Sequence, residues 1–274
     1  MLLSRRDLGR IVLPGLASAA GLLGAKKIPI AVQLYSVRAI AQKDLPGVLQ
    51  EVARLGFQGV EFAGYYGHSA EAVRKMLDEN KLKVAGTHTG LDTLLGDNLA
   101  KTMEFNKTIG NKNLIVPGMP KKYQESIEGW KEAAKVFSQI SEQVKPQGFV
   151  VGYHNHRVEF EPKGGTTPFE AFFGTADQSV KVQLDVGHCQ RAGANPVDVI
   201  KRYKGRIVSI HIKEYNPDRD DAPLGEGLVK WKDVFKGLEA AGATEWYIVE
   251  EEAKTCTGFE CIGGAIQRLH KMGK

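Results

Sequence analysis

The chain has 274 residues, of which 42% are hydrophobic, 25% charged and 8% aromatic, and its formal charge is +5. These figures exclude wholesale disorder, and the length exceeds that of a small stapled module while suiting one large domain. Three cysteines, Cys189, Cys256 and Cys261, form no CxxC pair, so a zinc ribbon is excluded.

The first 25 residues read as an address. Met1–Arg10 is basic, the run IVLPGLASAAGLLGA follows, and small residues precede Lys26, the layout of a secretory signal. Arg5-Arg6, flanked by Ser4 and Asp7-Leu8, resembles the twin-arginine type, which implies an exported, periplasmic protein. The run is shorter than the ~20 residues a membrane span needs, and Pro14 interrupts it, so no stable membrane insertion is expected once the leader is cleaved. Three arginines and one aspartate leave with it, taking the charge from +5 to +3. No block of like charges or basic-aromatic stripe remains, so no nucleic-acid partner is expected. In an oxidising compartment Cys256 and Cys261 can pair and leave Cys189 over; buried free thiols are the simpler reading.

From residue 26 to 274 one rhythm repeats. Short β-rich runs occur at 28–37, 59–64, 82–88, 113–118, 148–156, 180–188, 206–213 and 245–252. Helical apolar spacing lies between them, most clearly over Leu45–Leu55, Ala70–Leu82, Trp130–Val144, Val197–Tyr203 and Val234–Ala241. Asp44, Ser69, Asn195 and Thr257 stand at N-cap positions, and Pro46 and Pro196 sit just inside helix starts. Strands alternating with crossover helices require a parallel sheet, and eight such units over about 250 residues predict a single-domain (β/α)8 TIM barrel. A doubly wound sheet would carry GxGxxG after its first strand, and none is present.

Such a barrel carries its chemistry at the carboxyl ends of its strands. The runs end in residues that resist burial: Glu61, His88, His154 and His156, Asp185 and His188, His211 and Lys213, and Glu250 to Glu252. Alternation puts His154 with His156, His211 with Lys213, and Glu250 with Glu252 on shared faces, and turns Asn155 and Glu251 away. Five of the seven histidines fall in this set, which points to a site rather than to isolated structural residues. Imidazole and carboxylate donors suit a divalent Mn, Co, Zn, Mg or Fe ion.

The stretches GFQGVEFAG (56–64), LDVGH (184–188), IVSIHIKEYN (207–216), PLGEG (223–227) with Val229-Lys230-Trp231, and WYIVEEE (246–252) resemble the xylose-isomerase-like barrel superfamily. That group includes sugar isomerases and epimerases, inosose dehydratase and apurinic endonucleases. The resemblance implies metal ligands at Asp185, His211 and Glu250, with His154 of VGYHNHRVEF standing where the family commonly has Glu. This departure puts a two-glutamate proton exchange in doubt and draws the chain toward inosose dehydratase and keto-sugar lyases.

The activity implied is metal-dependent sugar isomerisation or epimerisation by proton abstraction beside a carbonyl. Dehydration or lysis of a keto-sugar or cyclitol is the runner-up. Glu250 or His156 would be the base, with His154 a ligand or an acid–base group, and Lys213 would steady an oxyanion. His88, Glu61, Glu159 and Lys213 are candidate hydroxyl binders, His188 orients Asp185 or binds substrate, and Tyr35 and Trp231 are candidates for stacking on the sugar. The partners implied are a small-molecule sugar or sugar derivative and further copies of this chain. Two distant alternatives are a non-catalytic sugar-binding barrel and an apurinic endonuclease. The latter requires an Asp-x-His where this chain has Asp218-Arg219-Asp220.

Overall fold

A computed structural model describes residues 27–253 and 258–274. The leader read at 1–25, the cap assigned to Thr257 and the cysteine Cys256 lie outside the described residues.

The eight apolar runs form eight parallel strands closed in sequence order: β1 (Ile30–Gln33), β2 (Gly59–Phe62), β3 (Lys83–His88), β4 (Asn113–Val116), β5 (Val150–His154), β6 (Lys181–Asp185), β7 (Ile207–Ile212) and β8 (Trp246–Val249). Each is shorter than its run, which extends past the ladder at one end or both. Amphipathic helices cover the outside, among them Leu45–Arg54, Ala70–Glu79, Ile127–Val144, Pro196–Arg202 and Trp231–Ala241. Asp44, Ser69 and Asn195 accept hydrogen bonds from the backbone N–H groups of Gly47, Ala72 and Val197, satisfying donors that helix starts leave open.

Strand alternation divides each strand between two environments. Outward residues such as Val32, Val60, Leu114, Tyr153, Leu184, Ile210 and Val249 join one continuous core with the helices. Inside the barrel, a separate cluster of Ala31, Ala85, Trp246 and Ile248 fills the end where the strands begin. Gly59 makes room for it, since a Cβ there would come within 2.9 Å of the Trp246 ring. Toward the mouth the inward positions turn polar: Gln33, Glu61, His88, His154, Gln183, Asp185 and His211.

Among the described residues, no helix is long and apolar enough to cross a membrane. Cys189 is a buried free thiol, whereas Cys261 takes part in a disulfide, which corrects the reading of all three cysteines as free.

Candidate active site

His154 ends β5, Asp185 ends β6, His211 lies on β7 and Glu250 follows β8 directly. One ligand-type atom from each lies within 4.8 Å of the others, and all four residues are buried. Register explains the convergence, because Asp185 pairs with His211 on the neighbouring strand and His154 pairs with Gln183 two residues before Asp185.

His211 Nδ1 is 2.9 Å from Glu250 Oε2, and His211 Nε2 is 2.6 Å from Glu61 Oε2. Burial opposes an imidazolium here, but the two carboxylates outweigh it and push the His211 value up to about 10. His154 goes the other way. Burial, reinforced by His211 and His88, pushes it well below the ordinary imidazole value. Burial also works against the Glu250 charge, yet Lys213 and His211 hold its carboxyl well below the usual range.

Lys213 reaches in from the mouth. Its Nζ lies 3.2 Å from Glu250 Oε2, 3.3 Å from His188 Nε2 and 3.7 Å from Asp185 Oδ2, and it also pairs with Glu252. Burial disfavours its charge, but Asp185, Glu250 and Glu252 more than compensate and keep it protonated. Gly187 in the LDVGH stretch makes this approach feasible, as a Cβ there would stand 2.7 Å from the Lys213 carbonyl oxygen. Asp185 caps the helix Val186–Arg191 through Oδ1, which accepts from the His188 N–H, while its buried Oδ2 has no hydrogen-bond partner among the described residues. Two imidazoles and two carboxylates gathered this closely, with one carboxylate oxygen short of a hydrogen bond, fit a divalent cation held by His154, Asp185, His211 and Glu250.

Above this centre opens a cavity of about 660 Å³ lined by Tyr35, Arg38, His188, Arg191, Lys213 and Glu252, among others. Tyr35 is 40% exposed, with the Arg38 guanidinium 4.0 Å from its ring centroid on one face. His156 lies at the same end, its ring 5.0 Å from that of His154 and 5.1 Å from that of His188. His88 packs beside the ligand set, stacked 5.3 Å from the His211 ring.

Three residues read from the sequence as substrate contacts are placed otherwise. Trp231 is buried, stacked on Phe235, and its indole N–H donates to Glu214 Oε2 at 2.7 Å. Glu214 also accepts from the backbone N–H groups of Tyr215, Gly225 and Val229. The KEYN and PLGEG stretches and Trp231 thus form a clip that shapes the loop after β7, and no indole face is left for a sugar. Glu159 is a buried pin rather than a hydroxyl binder, with one oxygen accepting from Tyr153 Oη at 2.6 Å and the other from the His156 N–H at 2.8 Å. Glu61 is fully buried inside the barrel and its carboxylate accepts from Gln33, Gln183 and His211, so it supports the centre from below. Asn155 does turn aside as alternation requires, and it latches β5 to β6 through both polar groups of Asp185's backbone.

Gln33 and Gln183 were not singled out in the sequence. Their only signal is a buried amide at an inward strand position, two residues from a carboxylate or beside one.

A closed eight-stranded parallel barrel, with two imidazoles and two carboxylates clustered at the carboxyl ends of its strands, defines a TIM barrel with a candidate metal site. The chain belongs to the Xylose isomerase-like TIM barrel family, which it matches over residues 49–268. It is similar to an inosose dehydratase of Clostridium botulinum, 23% identical over 242 residues, 74% of this chain and 80% of that protein. Among solved structures it is similar to a sugar phosphate isomerase/epimerase from Parabacteroides distasonis, 26% identical with a TM-score of 0.77, covering 89% of this chain and 98% of that one. The fold is also shared with a D-allulose 3-epimerase from Methylomonas sp. in complex with D-allulose, at 14% identity and a TM-score of 0.67 over 89% and 97% of the two chains.

Proposed function

We propose that this protein is a divalent-metal-dependent sugar isomerase or epimerase that removes a proton beside a carbonyl. The observation that carries this reading is the convergence of His154, Asp185, His211 and Glu250, with Asp185 Oδ2 accepting no hydrogen bond among the described residues and meeting only the Lys213 charge at 3.7 Å. A divalent ion held there supplies positive charge that polarises a carbonyl and an adjacent hydroxyl.

The chain's own groups supply the rest. Glu250, ionised, and His156, half-buried at the mouth, are the bases within the site. As the proton leaves carbon, its electron pair forms the new C=C bond and negative charge passes to the former carbonyl oxygen. Lys213 Nζ, protonated and half-buried, faces the same space and can donate to that oxygen. Returning the proton to the opposite face or to the neighbouring carbon gives epimer or isomer.

The imidazole of His154 and the inosose dehydratase relatives favour a second reading, in which a group β to the carbonyl is expelled from a keto-sugar or cyclitol. The twin-arginine-like leader at 1–25 supports action outside the cytoplasm, with 26–274 as the mature barrel.

The test is incubation of the protein with Mn²⁺ and a panel of keto-sugars, aldo-sugars and inososes in D2O, followed by NMR. Deuterium entering the carbon next to the carbonyl without loss of a group supports isomerisation or epimerisation, and release of water or an aglycone supports the lyase. No exchange and no product with any divalent ion contradicts both.

A further inference from the structure

Gln183 is fully buried on β6 and makes four hydrogen bonds below the ligand cluster. Its Oε1 accepts from His154 Nδ1 at 3.0 Å and from His88 Nε2 at 2.7 Å. Its Nε2 donates to Glu61 Oε1 at 2.6 Å and to Ser209 Oγ at 3.0 Å. An ionised carboxylate only accepts, so the amide nitrogen must face Glu61 and the amide oxygen must face the imidazoles. That oxygen is an acceptor as well, so His154 Nδ1 must carry the hydrogen, and Nε2 is the nitrogen left to meet a cation.

Glu61 does the same for the other imidazole. Its Oε2 accepts from His211 Nε2 at 2.6 Å and from Gln33 Nε2 at 2.7 Å, which leaves His211 Nδ1 turned toward Glu250. The barrel ladder is built around this pair. Its register slips between Val60 and Glu61 where β2 meets β3, and between Val182 and Gln183 where β6 meets β7. Such irregularities re-aim the side chains beside them. Opposite Glu61 stands Gly86, where a Cβ would lie 2.7 Å from Glu61 Oε1.

We propose that Gln183 and Glu61 are positioning residues that select which nitrogen each ligand imidazole offers, so that His154 binds a cation through Nε2 and His211 through Nδ1. The assignment rests on the metal reading given above. Partners behind metal-bound histidines commonly set ring tautomer and affinity in this way.

Long-range ¹H–¹⁵N NMR of the metal-free wild-type protein, with rings assigned from His154→Gln and His88→Gln spectra, reads the tautomer without a Gln183 variant. His154 is expected to carry its proton on Nδ1, and in Gln183→Met, which keeps the volume but removes the acceptor, to shift toward the Nε2–H form. Calorimetric titration with Mn²⁺ and with Zn²⁺ is expected to show Gln183→Met binding about 10–100-fold more weakly than wild type. Wild-type protein that binds neither ion overturns the metal reading and this assignment with it. Equal affinity in Gln183→Met, or a wild-type His154 protonated on Nε2, overturns this assignment alone.

Discussion

His211 Nε2 and Glu61 Oε2 meet at 2.6 Å inside the barrel, although their strands, β7 and β2, stand three apart around it. The contact lets one buried carboxylate govern a ligand from the far side of the cylinder. With Glu250 on the other ring nitrogen, His211 is an imidazolium in the metal-free protein, its value raised to about 10. A group raised by folding stabilises the fold fully below its unfolded value of roughly 6.5, and that contribution is lost as pH climbs through the folded value. The metal-free protein should therefore melt at progressively lower temperature from neutral pH to about 10. Binding of a cation must also expel the His211 proton. Calorimetry at neutral pH in two buffers of different ionisation enthalpy should give apparent binding enthalpies that differ accordingly; identical enthalpies would show that no proton leaves.

Gly86→Ala should damage the centre without touching a ligand. The new methyl would press on Glu61 Oε1, which Gln183 already holds at 2.6 Å, and overpacking of this kind costs about 1–3 kcal/mol. Urea denaturation together with a Mn²⁺ titration should show both lower stability and weaker binding. Unchanged values for both would mean that the Glu61 carboxylate has room to move.

Lys213→Met should lower kcat by about 100-fold or more while leaving KM within a few-fold, because its donor is aimed at charge that develops only during the reaction. Steady-state kinetics on whichever sugar the NMR panel identifies makes the comparison. A change confined to KM would assign Lys213 to substrate binding.

Arg206 offers a contrast at the other end of the barrel. Its buried guanidinium donates to the carbonyl oxygens of Val180, Phe173, Ala176 and Asp177, closing the end of the helix Pro168–Thr175 against the start of β6. Arg206→Met should cost about 2–4 kcal/mol in chemical denaturation, as several bonds to a charged donor are lost. Activity per folded molecule should not change, since none of these contacts reaches the mouth.

Much of this architecture is legible in the sequence alone. Eight apolar runs with intervening helices define the barrel because a strand covered on both faces has to be apolar over most of its length. His154, Asp185, His211 and Glu250 stand out because titratable groups at such positions require a reason to be buried. Gln183 and Gln33 carry no charge and look like ordinary strand residues, so nothing in the sequence marks them. Trp231 misleads in the other direction: an aromatic after a glycine-rich turn reads as a stacking surface, and only the Glu214 clip shows where its indole points. The helix Asp97–Ile109 is not among the clear helical runs because its inner face includes Asn106, which serves a buried polar network with Thr87, Asn111 and Tyr65. The helix Pro168–Thr175 is short and has only Glu170 and Thr175 as polar residues, so its period does not show.

The account rests on one cation at the mouth of the barrel, and anomalous diffraction from crystals grown with Mn²⁺ examines that directly. The expected result is a single strong peak within bonding distance of His154, Asp185, His211 and Glu250. A map without a peak at that point, or with manganese bound to other residues while these four keep their present hydrogen bonds, would contradict it.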